Sequence, residues 1–347
     1  MSSQRESLPQ GPDPTMSEAE AEIRLHHDRF DILALTAKGR HRFDAGDHRA
    51  AGAFYKVAAK VARERGVADP AAAAAAEHAA EMGKWLDQRF RNHLLAGLDA
   101  AGLPREKRPE RFQHALEILL GGRERDPVSE EYPHLPNGLF YPGLPYIDFA
   151  DPADFAWRSA LEASFPEMRD EAWALLEDAA QFNPYVRATK ERPQGDVHGL
   201  LENPNWSTLH LFESGVPVAR NVERCPAIYQ AVIDHAPLCH IGVRAPSVML
   251  SLLKAGAHIP PHTGMLNVRY IVHLPLVVPP RCSFRVGGRT VEWREGEIIL
   301  FDDTVEHEAR NDGDRDRLVL IFDVWRPELS KDEREAIVRL FQIIDSY

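Results

Sequence analysis

The chain has 347 residues, 44% of them hydrophobic and 27% charged, with 41 Lys plus Arg against 53 Asp plus Glu and a net charge of −12. That length predicts two parts, and the composition is that of a globular protein, not a fibre. The negative balance repels phosphate backbones and anionic lipid surfaces, so nucleic acid is not expected as a partner. No apolar run reaches the roughly 20 residues a membrane span needs, and the first residues lack a signal peptide's apolar centre. No membrane partner is expected, and the expected location is cytoplasmic.

Residues 1–16, rich in Ser, Pro, Gln and Gly, predict a disordered arm. Residues 17–122 read as helical. Apolar residues from Leu33 to Val61 recur at three- and four-residue steps on either side of Gly46-Asp47, which predicts a helical hairpin. The stretch GRHRFDAGDHRAAGAFYKVAAKVA (39–62) resembles one tetratricopeptide repeat. No second copy follows at a period of about 34 residues, so a tetratricopeptide-like module and a plain helical bundle both stand. Pro70 and the alanine run Ala71 to Ala76 open a further helix through Trp85, Leu86, Phe90 and Leu94. A last helix covers about 109–120.

Residues 123–152 are rich in Pro and Gly and read as a linker entering a second domain, 153–347. That domain opens with two helical segments at 153–182. Their apolar faces, Phe155, Trp157, Leu161 and Phe165, then Trp173, Leu175 and Leu176, predict packing outside a sheet. Short strands follow at 206–213, 247–254, 266–278, 282–286, 289–293, 297–301 and 317–325, a pattern that predicts an antiparallel sandwich or barrel. Gly287-Gly288 reads as a two-residue hairpin turn. Cys225, Cys239 and Cys282 stand far apart without CxxC spacing, which points to core residues and away from a zinc site or disulfides.

Two histidines carry candidate chemistry. His262 in HIPPHTG and His307 in FDDTVEHEARN each lie at a strand-edge loop, and two such imidazoles can converge on a metal. Non-haem iron sites commonly add a carboxylate two residues after the first His, where this chain has Gly264. The position is then open to water or a halide, or served from a second shell by Asp302 or Asp303. Arg317 opens the strand RLVLIFDVW ten residues after His307, where a guanidinium can hold a carboxylate by two parallel hydrogen bonds. A dicarboxylate cosubstrate requires such an anchor.

The segments PPHTGMLNVRYIVHLPL (260–276), WREGEIILFDDTVEHEARN (293–311) and RLVLIFDVWRPEL (317–329), with NWSTLHLFESG (205–215) and FYPGLP (140–145), resemble the aspartyl/asparaginyl β-hydroxylase family of 2-oxoglutarate oxygenases. The resemblance covers about 138–330. It implies an α+β multidomain chain: an N-terminal helical, tetratricopeptide-like region, then a double-stranded β-helix of the jelly-roll or cupin kind with flanking helices. In that family only two histidines bind the iron, which maps the metal site onto His262 and His307, and Gly264 agrees with the family pattern. Arg317 matches the residue that takes the distal carboxylate of 2-oxoglutarate, Ser251 and His273 match further cosubstrate contacts, and Trp206 matches an aromatic beside the same pocket. Ser251 and His273 could equally be plain barrel-interior polar groups, and Trp206 core. One departure is Ile271, where better-known members carry a second arginine; Arg269, on the same strand face, either substitutes for it or supports His273.

The activity implied is hydroxylation of an unactivated C–H bond with Fe(II), 2-oxoglutarate and dioxygen, at the β-carbon of an Asp/Asn-type residue in a peptide, protein or amino acid. The helical region suits peptide or protein capture. Rival readings are a halogenase-type oxygenase, a non-catalytic peptide-binding scaffold with a relic barrel, and a zinc or nickel cupin enzyme, which leaves Arg317 unexplained. Oligomeric state has no signal in the sequence.

Overall fold

In the computed structural model, residues 8–9, 16–127, 129–195 and 199–347 are described. The expected arm at 1–16 lies almost wholly outside them. Helices α1 (Glu18–His27), α2 (Ile32–Asp44), α3 (His48–Arg65) and α4 (Pro70–Ala100) come first. Each of the first three begins at a side-chain cap: Ser17, Asp31 and Asp47 accept from the amides of Glu20, Ala34 and Ala50. Such caps satisfy amides that have no partner within the helix. Leu35, Phe54, Tyr55, Ala58, Met82 and Leu86 fill the space between α2, α3 and α4. Lys38 is buried, with its ammonium held by Glu18 and Glu22 of α1 at 2.8 and 3.0 Å.

By contacts, the described residues up to Ala100, with 188–195 and the last two residues, form one compact unit; 101–187 and the described residues from 199 to Asp345 form the other. This corrects the boundary expected at 122/123. Helix α5 (Glu110–Leu119), assigned by its periodicity to the helical region, belongs to the second unit. Arg111 of α5 makes two 2.8 Å hydrogen bonds to the carboxylate of Glu333, and Tyr141 donates to the same carboxylate at 2.9 Å. Periodicity shows that a helix has an apolar face, not which element covers it.

The second unit also contains α6 (Arg158–Ala163), α7 (Phe165–Glu177), α8 (Ala219–Val222), α9 (Pro226–His235) and α10 (Lys331–Asp345). Its strands are β1 (Phe149–Ala150), β2 (Asn183–Pro184), β3 (Trp206–Glu213), β4 (Val216–Pro217), β5 (Val248–Leu253), β6 (His258–His262), β7 (Arg269–Val277), β8 (Cys282–Val286), β9 (Arg289–Glu292), β10 (Ile299–Phe301), β11 (His307–Asn311) and β12 (Arg317–Trp325). An eight-stranded sheet runs β1-β10-β7-β12-β5-β3-β2 with β4 beside β3, and a four-stranded sheet runs β6-β11-β8-β9. All the pairings between these strands are antiparallel. Gly287 adopts φ 55° in the turn joining β8 and β9, a conformation glycine reaches without strain.

Alternation along the strands sorts side chains to two faces. Val272, Leu274, Leu318, Leu320 and Phe322 of the large sheet pack outward against α6, α7 and α9. Trp206, Leu253, Phe284, Val286, Phe301 and Ala309 face inward, between the sheets. Each such fully buried large side chain is worth about 1.5–3 kcal/mol. Trp173, expected on the buried face of α7, is instead 45% exposed; Met168, Ala172 and Leu175 form that face. The cysteines are all free and buried. Among the described residues no helix is long and apolar enough to cross a membrane.

Candidate metal centre and carboxylate pocket

The two histidines sit on strands, not in loops: His262 ends β6 and His307 begins β11. Both strands were missed by the sequence reading because they are short and β6 carries Pro260 and Pro261, which a strand tolerates at a sheet edge, where β6 lies. Register pairs His307 directly with His262, and the ring centroids are 4.1 Å apart. Each Nδ1 lies against the carbonyl two residues before it, Pro260 O at 2.8 Å and Val305 O at 3.0 Å. A carbonyl only accepts, so Nδ1 carries the proton and Nε2 the lone pair, the state of a metal-ligating imidazole. Burial, reinforced by His262, holds His307 down at about 3. It is neutral at physiological pH.

Beside the pair, the position of the usual carboxylate is filled from another segment. A Cβ on Gly264 would overlap the Asp303 carboxylate. Burial, which Arg269 only partly offsets, pushes Asp303 up to about 7, and its Oδ1 is buried without a hydrogen bond. Asp302, weighed with Asp303 from the sequence, points elsewhere: it accepts from Arg326 at 2.7 Å and from the Thr304 hydroxyl at 2.6 Å. Among the described residues no cluster of three or more His, Cys, Asp or Glu is ready to hold a metal. The donor set is two imidazoles with a carboxylate nearby, which fits a borderline divalent ion keeping open positions.

A second group of side chains converges on an anion-shaped pocket. Arg317, 1% exposed, donates from Nη2 to Ser251 Oγ at 3.2 Å, and the Trp206 indole donates to the same oxygen at 3.2 Å. The guanidinium lies 4.6 Å over the Trp293 ring. Its Nε has no hydrogen bond, and among the described residues no carboxylate faces it. Burial pushes Arg317 down to about 10. Trp206 bridges the two groups, with its ring 6.0 Å from His262. His273 lies within electrostatic reach of both Arg317 and His307, and burial pushes it well below its ordinary value; its Nδ1 is buried without a partner.

Arg269 stands apart from Arg317. It donates to Asp323 at 2.6 Å and lies 3.8 Å from Asp303. Burial would lower its pKa, but those carboxylates hold it above the ordinary value. Asp323 and Trp293 were not singled out from the sequence. Strand parity could have found Asp323, since 317, 319, 321 and 323 share the inward face of β12.

Two antiparallel sheets wound around one shared core, with paired imidazoles at an edge of the smaller sheet, define a double-stranded β-helix of the cupin kind. Residues 162–327 match the family model described as aspartyl/asparaginyl beta-hydroxylase. The chain is 32% identical over 182 residues to the human aspartyl/asparaginyl beta-hydroxylase, covering 51% of this chain and 22% of the relative. It is 31% identical over 180 residues to the ornithine lipid ester-linked acyl 2-hydroxylase of Rhizobium tropici, covering 51% and 60%. Both matches span less than two thirds of the relative's length. A crystal structure of a Pseudomonas putida prolyl-4-hydroxylase overlaps with 14% identity and a TM-score of 0.29, over 49% of this chain and 99% of that one.

Proposed function

We propose that this protein is an Fe(II)- and 2-oxoglutarate-dependent hydroxylase, with His262 and His307 holding the metal and Arg317 the distal carboxylate of the cosubstrate. The observation that carries the reading is Arg317. A buried guanidinium without a counter-ion costs several kcal/mol, and a dicarboxylate ligand supplies the missing charge. The imidazole pair then provides the metal site, joined to the anion pocket through Trp206.

When bound, iron(II) with dioxygen supplies the oxidising power: a C–H bond becomes C–OH while 2-oxoglutarate becomes succinate and carbon dioxide. The chain's own residues position and exclude. Pro260 O and Val305 O orient the imidazoles, and Ser251, held by Trp206 and Arg317, offers a hydroxyl to a ligand carboxylate. Phe284, Phe301 and Trp293 surround His273 at centroid distances of 4.9, 4.9 and 6.1 Å and keep water out. Asp303 accepts a proton or hydrogen bond beside the metal from the space above Gly264. Its carboxyl fills the space over Gly264 that a halide would need, so hydroxylation is preferred to halogen transfer.

The substrate is a C–H bond in a chain or residue that reaches the imidazole pair. The names of the two curated relatives span an aspartyl or asparaginyl residue and an ester-linked acyl chain, and both classes are candidates here. Anaerobic addition of Fe(II) and 2-oxoglutarate tests the reading. The expected result is a weak visible charge-transfer band that disappears on admitting oxygen, with succinate released. A folded protein that gives no band and no succinate refutes it.

A further inference from the structure

Asp302 and Asp303 are consecutive and serve different neighbours. Asp303 lies over Gly264 beside the imidazole pair, whereas Asp302 closes the turn that follows it. Its Oδ1 accepts from the Thr304 amide at 2.9 Å and from the Thr304 hydroxyl at 2.6 Å, and its carbonyl accepts from the Val305 amide at 3.2 Å. A short polar side chain bonded to the backbone two residues on is a turn-forming device. This turn is bonded to the strands of both histidines. The Val305 carbonyl holds Nδ1 of His307 at 3.0 Å, and the Asp303 carbonyl accepts from the amide of Gly264, two residues past His262.

The turn is anchored from behind. Arg326, buried like Asp302 and Thr304, donates from Nη1 to Asp302 Oδ2 at 2.7 Å and from Nη2 to Pro145 O at 2.8 Å and Glu328 at 3.0 Å. Its own amide bonds Val268 O at 3.2 Å, and its guanidinium lies 4.6 Å over the Tyr270 ring. Several elements therefore fix the guanidinium before it meets Asp302. From a further segment the Leu135 amide donates to the Thr304 carbonyl at 2.7 Å, and His134 Nε2 stands 3.5 Å from Asp302 Oδ2. A buried ion pair is weak evidence for stability, because well-packed apolar side chains commonly serve as well. A turn held in one geometry needs directed bonds, which apolar side chains do not make.

We propose that Arg326, Asp302 and Thr304 are positioning residues for the imidazole pair: the buried pair locks the turn, and the turn aims the Val305 carbonyl at His307. The partner of a ligating imidazole sets its tautomer and ring orientation, and a site must be held to within about 0.5 Å to act. Loosening the turn therefore frees the His307 ring while β6 keeps the His262 ring on Pro260 O. The consequence for metal binding rests on the reading of these histidines as ligands; the coupling of the turn to His307 does not.

The test uses the metal-free full-length protein carrying isotope-labelled histidine, and reads by NMR how fast the Nδ1 proton of each site histidine exchanges with water. A ring proton held by a buried carbonyl exchanges slowly. Thr304→Val keeps the side chain's shape and removes the 2.6 Å bond. It is expected to speed exchange at His307 by about ten-fold or more, which is about 1.4 kcal/mol, and to leave His262 at the parent rate; Thr304→Ser, which restores the hydroxyl, is expected to return His307 to the parent rate. Asp302→Leu combined with Arg326→Met removes both charges together, so neither is left buried alone, and urea unfolding checks its fold; His307 is expected to exchange fast there too. Cobalt(II) titration followed by visible absorption extends the test to the metal, with affinity expected to fall about ten- to a hundred-fold in Thr304→Val and to recover in Thr304→Ser. A His307 proton that exchanges freely in the parent, no change in Thr304→Val, or equal acceleration at both histidines overturns the inference, as does unchanged cobalt(II) affinity once the His307 proton is freed. A parent that binds no cobalt(II) would instead strike the metal reading, and proton exchange would still decide whether the turn positions His307.

Discussion

Gly264 and Asp303 share one space: the first carbon of any side chain at 264 would overlap the Asp303 carboxylate. Restoring a carboxylate at the position where iron sites usually carry one therefore overpacks this site. Gly264→Asp is expected to destabilise the metal-free protein by about 1–3 kcal/mol. Combining it with Asp303→Gly should recover at least about 1 kcal/mol, a coupling expected only of residues in contact. Denaturant unfolding of the four members of the cycle measures it; additive effects would show that the two do not compete.

The imidazole pair gives the second prediction. His262→Ala and His307→Ala should each abolish Fe(II) binding in a metal titration while the protein stays folded. His307 has a folded pKa of about 3 against an ordinary 6.5. Its contribution to stability is fully present above about 6.5 and is lost as pH falls toward 3. Between those values the folded ring stays neutral, so iron binding should persist at pH 5.5. An affinity loss centred near pH 6.5 would mean that a solvated histidine is the ligand.

Arg317 separates ligand binding from stability. Arg317→Met removes a buried charge that no described carboxylate balances, so the ligand-free protein should be unchanged or more stable by about 1–4 kcal/mol. The same variant should lose 2-oxoglutarate binding by about a hundred-fold or more, close to 3 kcal/mol, with Fe(II) binding retained. Thermal unfolding with and without 2-oxoglutarate reads both.

Arg326 and Asp302 behave in the opposite way. Both are fully buried and bonded at 2.7 Å, and Arg326 also donates to Pro145 O and Glu328. Arg326→Met leaves Asp302 buried without its counter-ion and should cost about 3–5 kcal/mol. Urea unfolding distinguishes this from the opposite sign predicted at Arg317.

Glu333 sets an acid limit. Burial alone would raise its pKa, but Arg111, the Ser330 amide and Tyr141 outweigh that and hold it at about 2. A depressed carboxylate stabilises the fold above its ordinary value of 4.5, and that stabilisation is lost as pH falls through about 2. Glu333→Gln should be less stable than the parent at pH 7, with the difference shrinking between pH 4.5 and 2. A constant difference across that window would assign the effect to packing and not to charge.

The fold and the site differ in how far they can be read from the chain. The strands at Trp206–Glu213, Cys282–Val286 and Arg317–Trp325 follow from β-branched and aromatic runs bounded by turn residues. The strands bearing the histidines do not, because HIPPH and HEARN have no such pattern and form only by pairing, β6 with β11 and β11 also with β8. The same holds for Trp173, whose apolar character predicts burial while the turn of α7 directs it to solvent.

The sequence by itself determined the helical start, the β-rich remainder, the acidic surface and the ordered motifs around His262, His307 and Arg317, since these depend on periodicity and residue type along a short stretch. Only the tertiary structure decided that His262 meets His307 in register, that Asp303 fills the space over Gly264, that Asp323 takes Arg269 and that Arg317 faces Ser251 and Trp293, with Trp206 on the same hydroxyl. Each of these is a contact between segments far apart in the chain, and charge compensation in a buried site depends on which groups stand within a few ångströms, a quantity no local pattern encodes.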